Sequence, residues 1–259
     1  ERLLANLIAS ARENMVIASK AGVVRGDDQV GEFDMTKWSV DNRPSYLKSC
    51  CDNSLKLLKT DYIDLFYLHA FDGATPIEES MQALSDLVAQ GKIRYVGLSN
   101  VFDPVLIRKA HAIQPITALQ NEYSLWQRST ESVFDLCNEL GITFVAYSPL
   151  GRGALTGGLT DLSHLADTDL RRASMDYTEQ FSQYQAFIQD LRAIAKAHDL
   201  SMAQLALAWV FNNPKLTLCA IPGSRTIDYL IENVSAVNIK LSAEVRSALD
   251  ALIAGKTRQ

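Results

Sequence analysis

Short apolar runs without polar alternation recur along the chain, at residues 16–19, 63–68, 95–98, 117–119, 143–146 and 217–221. Strands covered on both faces have this pattern. A stretch with helical spacing of apolar positions follows each run, and several of these stretches carry end signals. Thr75-Pro76-Ile77-Glu78 reads as a capping box with proline at the first helical position, and Gly91 stands past the end of the same helix. Asp103 precedes Pro104 as an N-cap. Gly141 closes a helix expected over about 129–140, and Ser201-Met202-Ala203-Gln204 is a second capping box. A last helix is expected at about 242–254. Strands alternating with helices predict βαβ units and a parallel sheet. Two long polar stretches, 22–44 and 150–177, interrupt the rhythm, and loops of that length are usually functional. No linker, repeat or low-complexity tract divides the chain, so 1–259 is read as one domain.

Composition narrows the classes. The chain has 259 residues, 47% hydrophobic and 21% charged, which suits a folded domain and not a disordered or fibrous one. With 25 basic and 30 acidic residues the net charge is −5, so phosphate-backbone binding is not expected. No apolar run approaches the ~18 residues of a membrane span. Cys50, Cys51, Cys137 and Cys219 match no zinc spacing. They are read as free thiols of a reducing, cytoplasmic compartment.

The candidate chemistry lies where the runs end. The first ends at Lys20, the second at His69, the third at Ser99-Asn100, the fourth at Gln120-Asn121, the fifth at Tyr147-Ser148 and the sixth at Pro222-Gly223-Ser224-Arg225. Each residue alone has an ordinary structural explanation. Together they place polar groups at the C-terminal end of every strand, which is the active-site face of a parallel α/β barrel or the crevice of an open sheet. Gly151-Arg152-Gly153-Ala154-Leu155-Thr156-Gly157 resembles a dinucleotide fingerprint, but its third position is Thr156 and no acidic strand follows. The loop could still let a ligand approach backbone N–H groups. Gly223-Ser224-Arg225, opening a helix, offers a hydroxyl and a guanidinium to a phosphate.

Taken together these motifs resemble the aldo-keto reductase family over nearly the whole chain. The most specific pieces are Val16-Ile17-Ala18-Ser19-Lys20, the run from Asp61-Tyr62-Ile63-Asp64 to His69, and Gly91-Lys92-Ile93-Arg94-Tyr95-Val96-Gly97-Leu98-Ser99-Asn100. Ala146-Tyr147-Ser148-Pro149-Leu150-Gly151, Gln204-Leu205-Ala206-Leu207-Ala208-Trp209-Val210 and Ile221-Pro222-Gly223-Ser224-Arg225 followed by Glu232-Asn233 complete the set. The resemblance implies an α/β fold, a (β/α)8 TIM barrel, and NADPH-dependent reduction of an aldehyde or ketone to an alcohol. It assigns catalytic roles to Lys20 and His69 and the nicotinamide carboxamide to Ser99, Asn100 and Gln120. Tyr147 would stack on the ring, Ser148, Leu150 and Gly151 would meet the pyrophosphate, and Gly223 stands in the motif that begins the phosphate site. Ser224 and Arg225 would meet the 2′-phosphate, with Glu232 and Asn233 near the adenine. The family's catalytic tyrosine and aspartate belong to its first two βα units. Six strands are expected here, so the first two would precede Glu1, the barrel domain would be N-terminally incomplete, and the chain alone would be nearly inactive. The expected partner is a small carbonyl compound, not nucleic acid or a membrane. The alternative is a non-catalytic, reductase-like nucleotide-binding or regulatory subunit. Loops 22–44 and 150–177, with Trp38 and Trp126, are candidate substrate determinants.

Overall fold

The computed structural model describes residues 1–24, 39–159, 169, 171 and 177–256. Trp38 and the middle of both long loops lie outside the described residues. The chain packs as two compact units. The first takes residues 1–24, 39–121 and 135–143; the second takes 122–134, 144–159, 169, 171 and 177–256.

In the first unit, helix α1 (Arg2–Ala11) leads to β1 (Ala18–Ala21), a short antiparallel pair β2 (Val23–Val24) and β3 (Ser39–Val40), and α2 (Pro44–Leu58). There follow β4 (Ile63–Leu68), α3 (Ile77–Ala89), β5 (Ile93–Ser99), α4 (Pro104–Ile113) and β6 (Ile116–Glu122). Most of α5 (Phe134–Leu140) also belongs here. Strands β1, β4, β5 and β6 lie side by side and parallel, in that order. Ile63, Phe66, Leu68, Val96 and Leu98 are fully or almost fully buried on them, as are Met81, Leu84, Leu87 and Ile107 on the covering helices. At the N-terminal end of β4, Asp64 is 5% exposed, accepts from the Ile17 N–H (2.9 Å) and Arg94 (3.1 Å), and forms an ion pair with Arg12 (2.7 Å). Both guanidinium groups sit against the Tyr62 ring, 3.8 and 3.9 Å from its centroid. The Asp61-Tyr62-Ile63-Asp64 motif therefore ties β1, β4 and β5 together at the end opposite the candidate residues.

In the second unit, β7 (Thr143–Tyr147) and β8 (Leu218–Ile221) pair in parallel. Around them lie α6 (Tyr177–Ala197), α7 (Met202–Phe211), α8 (Ile227–Ser235) and α9 (Ala243–Lys256). Helix α7 is buried along almost its whole length and opens on a capping box, Ser201 Oγ accepting from Gln204 N and Gln204 Oε1 from Ser201 N, both 3.0 Å. Tyr123 is edge-on to Phe134 and Phe144 and tilted against Trp209. Trp126 packs edge-on against Tyr184 and Phe187, at 4.7 and 5.3 Å.

Three expectations are corrected in detail. The capping box at Thr75 does not form. Pro76 is itself the N-cap, and the Thr75 hydroxyl donates to Asp72 Oδ2 at 2.8 Å. The helix expected over 129–140 starts as a 3-10 turn, Ser129–Val133, and becomes α only at Phe134. The first strand is Ala18–Ala21, two residues later than the start of the apolar run; the Ile17 N–H goes to the Asp64 side chain and not to a backbone carbonyl. Asp103 caps α4 as expected, accepting from Val105 N at 2.8 Å.

Candidate active site

In the first unit the parallel register aligns the C-terminal ends of four strands. Lys20 pairs with Tyr67 and Ala21 with Leu68, Leu68 pairs with Leu98, and Ser99 pairs with Gln120. Lys20, His69, Ser99, Asn100 and Gln120 therefore gather at one end of this sheet. This register puts Lys20 and His69 at the same end of the sheet.

Lys20 is half-buried, with its ammonium 5.7 Å from the centroid of the Tyr67 ring. Burial lowers its pKa from the usual lysine value. Among the described residues no carboxylate forms an ion pair with it. The Tyr67 ring is buried and lies against Gly97, where a Cβ would stand 2.4 Å from two ring carbons. Only glycine fits there, and its absence of a side chain is what lets the ring pass beneath Lys20.

His69 leaves β4 with its N–H donating to Ala21 O at 2.8 Å, and its own carbonyl accepts from Asn100 Nδ2 at 2.9 Å. Asn100 has φ +55, a left-handed conformation that asparagine tolerates better than most residues. Its N–H donates to Gln120 O at 3.1 Å and its amide also donates to Ser99 Oγ at 3.2 Å. Ser99 is fully buried. Gln120 is 6% exposed, yet its carboxamide makes no hydrogen bond to any described residue.

Asn42 holds the segments behind these residues. It is fully buried and exchanges reciprocal bonds with Asp72. Asn42 N donates to Asp72 Oδ2 (2.9 Å), Asp72 N donates to Asn42 Oδ1 (2.7 Å), and Asn42 Nδ2 donates to Ala70 O (3.0 Å). Asp72 also accepts from the N–H groups of Ala74 and Thr75, and these bonds outweigh its burial and lower its pKa. Gly22, φ +113, passes so close that a Cβ would lie 2.9 Å from Asn42 Nδ2. The sequence gives no local sign of this clamp, because its two halves are 30 residues apart.

In the second unit Tyr147 pairs with Ile221, so the segments after β7 and β8 leave the same end of that pair. Tyr147 is half-buried, and burial with the nearby Glu122 raises its pKa to about 12. Ser148 follows with φ +49, and Gly151, Arg152 and Gly153 have φ +55, +55 and +92. Gly151 N donates to Ser148 O at 2.8 Å, and Gly153 N and Leu155 N both donate to Leu150 O at 3.1 Å. After β8, Gly223, Ser224 and Arg225 are exposed, and no atom lies within 4 Å of a Cβ built at Gly223. Asn233 is buried and donates from Nδ2 to Ser224 Oγ at 3.0 Å, and Glu232 precedes it on α8. Arg171 holds the pKa of Asp169 down, to about 2, with a smaller contribution from Arg225. Trp126 is half-buried in its aromatic cluster.

Comparison with known proteins fits this arrangement. A family model described as the aldo/keto reductase family matches residues 1–254. The chain is 39% identical over 246 residues to a probable aldo-keto reductase 1 of Glycine max, covering 94% of this chain and 68% of the relative. It is 38% identical over 248 residues to a Schizosaccharomyces pombe protein named aldo-keto reductase yakc, NADP(+), covering 92% and 71%. The structure of the glycerol dehydrogenase AKR11B4 from Gluconobacter oxydans superposes with a TM-score of 0.86 at 26% identity, covering 100% of this chain and 78% of that one. The fold is the α/β, (β/α)8 type expected from the sequence.

Proposed function

This chain belongs to the aldo-keto reductase family, a family of oxidoreductases, and from that premise we propose that it binds NADPH and reduces an aldehyde or ketone to the alcohol. Gln120 carries the reading. A nearly buried carboxamide with no hydrogen bond to a described residue suits a ligand bearing a complementary amide, as nicotinamide does. Ser99 and Asn100, bonded to each other beside it, complete a donor and acceptor set for the same group. Tyr147 offers an aromatic face. The loop with Ser148, Leu150 and Gly151 accounts for the diphosphate, and Ser224 and Arg225 for the 2′-phosphate, with Glu232 and Asn233 toward the adenine. Arg225 is exposed, and its neighbour Ser224 is held by buried Asn233.

When bound, the dihydronicotinamide supplies the hydride. Hydride addition turns the carbonyl oxygen into an alkoxide, which must take up a proton. In this reading His69 hydrogen-bonds that oxygen and orients the carbonyl. Lys20 brings a positive charge to the same strand ends, where it stabilises the developing oxyanion and the conjugate base of any acid delivering the proton. Where the alkoxide lacks a protein acid to protonate it, an acid supplied by the buffer accelerates turnover, so the dependence on buffer acid reports on that step.

The test is NADPH oxidation with a panel of aldehydes at rising concentrations of a buffer acid. A rate that rises with the acid and falls in His69→Ala and Lys20→Met supports the reading. General acid–base participation of this kind is worth about 10²–10⁴-fold. Nucleotide binding with no turnover on any aldehyde at any acid concentration would instead favour a regulatory subunit.

A further inference from the structure

Asn42 is fully buried, and each of its four polar groups is hydrogen-bonded. Its N–H donates to Asp72 Oδ2 at 2.9 Å, and its carbonyl accepts from Ser80 Oγ at 2.9 Å. Its side-chain Oδ1 accepts from Asp72 N at 2.7 Å, and its Nδ2 donates to Ala70 O at 3.0 Å. A buried polar group satisfied on every side resists displacement, because any shift leaves a donor or acceptor unpaired away from water.

The targets of these bonds matter more than their number. Ala70 is the residue after His69. Asp41, beside Asn42, donates its N–H to Gly22 O at 2.8 Å, and Gly22 stands two residues after Lys20. The dipeptide Asp41-Asn42 is thus bonded to both segments that leave the sheet next to the proposed catalytic residues, one from β1 and one from β4. Those two exits are also tied to each other, His69 N donating to Ala21 O at 2.8 Å. The Asn42 amide fills the space beside Gly22 that a side chain there would take. Ser80 links the network to α3, and Asp72 with Thr75 links it to the turn before that helix. Lys20 depends on its backbone for placement. Its ammonium is half-buried over the Tyr67 ring, and among the described residues no carboxylate is ion-paired with it.

We propose that Asn42 is a positioning residue for carbonyl reduction, fixing His69 through Ala70 and Lys20 through Asp41 and Gly22. The inference rests on the reductase reading above and adds to it the residue that sets the spacing of the two groups acting on the carbonyl oxygen. A displacement of about 1 Å at such groups costs on the order of 10²-fold in rate. The loss falls on the chemical step, since Asn42 is buried behind the exits and contributes no group to the ligands.

Two measurements on two variants test this. Asn42→Ala removes both side-chain bonds. Asn42→Asp keeps the shape and the acceptor for Asp72 N, but at neutral pH turns a carboxylate oxygen toward Ala70 O. Burial beside the Asp72 carboxylate favours protonation of the new carboxyl as pH falls, and the acid form can again donate to Ala70 O. With NADPH and benzaldehyde, kcat per folded molecule should fall about 10- to 100-fold in Asn42→Ala, with KM and nucleotide affinity within about twofold of the parent. The kcat of Asn42→Asp relative to the parent should recover as pH falls. In the nucleotide-free protein, NMR of isotopically labelled lysine should show Lys20 titrating closer to the ordinary lysine value in Asn42→Ala, because a loosened exit admits water. Asp64→Ala, which weakens the same sheet from its opposite end, should show neither change. An Asn42→Ala protein that is destabilised yet keeps the parent's kcat and Lys20 titration overturns the proposal. Should Asn42→Ala fail to fold, an Asn42→Asp protein with the parent's kcat at neutral pH overturns it equally. A parent that turns over no aldehyde overturns the reductase reading, whereas an unchanged Lys20 titration overturns the hold of Asn42 on Lys20 under any reading.

Discussion

Lys20 lies where folding disfavours its charge. Burial lowers its pKa, so between the folded and unfolded values the unfolded chain holds a proton the native protein has shed. Stability therefore rises with pH through that window, and below it the buried ammonium is a constant penalty. Lys20→Met keeps the apolar stem and removes the charge. It should stabilise the protein at neutral pH by about 0.5–2 kcal/mol, flatten the alkaline rise in stability, and suppress turnover. Chemical denaturation at several pH values checks this, and a destabilised Lys20→Met would show that the ammonium is favourably held. Asp64 works in the opposite sense. Asp64→Ala would remove the counter-charge of Arg12 and Arg94 and the acceptor of the Ile17 N–H, at a cost of about 3–5 kcal/mol, while nucleotide affinity in the surviving folded protein should not change. Gly97→Ala drives a methyl group into the Tyr67 ring and should cost about 1–3 kcal/mol. In a Tyr67→Leu background the same change should cost clearly less, and equal costs in both backgrounds would rule out the ring as the obstacle.

At the scale of elements, the strands and helices were readable because buried parallel strands are continuously apolar and helix ends carry local chemistry. Asp103 and Ser201 cap their helices as their neighbours in sequence suggest. Thr75 fails as a cap for a reason no local pattern contains. Asp72, three residues earlier, captures its hydroxyl and is itself held by Asn42. The β2–β3 pair escaped the reading because strands of two residues have no periodicity to detect. Asn42→Ala strips the half-buried Asp72 N–H and Ala70 carbonyl of their partners. It should cost about 2–5 kcal/mol by unfolding, well above the roughly 1 kcal/mol expected for Asp103→Ala. Similar costs for the two changes would mean that the clamp is replaceable by water.

At the scale of the molecule, the residues that bear the proposed chemistry could be named from the sequence because each stands directly after an apolar run. Those that support them could not. Asn42 with Asp72 and Tyr67 with Gly97 are pairs brought together by the fold across about 30 residues of chain, and nothing local marks them. The family resemblance supplied identities for the strand-end residues, and the structure adds what surrounds them. Among the described residues no helix is long and apolar enough to cross a membrane, and no cluster of three potential metal ligands occurs. The central claim is that this chain binds a phosphorylated dinucleotide through Arg225 and Ser224. Calorimetric titration with NADPH and NADH, on the parent and on Arg225→Ala, tests it most directly. NADPH should bind about 10- to 100-fold more tightly than NADH, and Arg225→Ala should remove this difference while leaving NADH affinity nearly unchanged. Equal affinity for the two nucleotides in the parent protein, or equal weakening of both by Arg225→Ala, would contradict it.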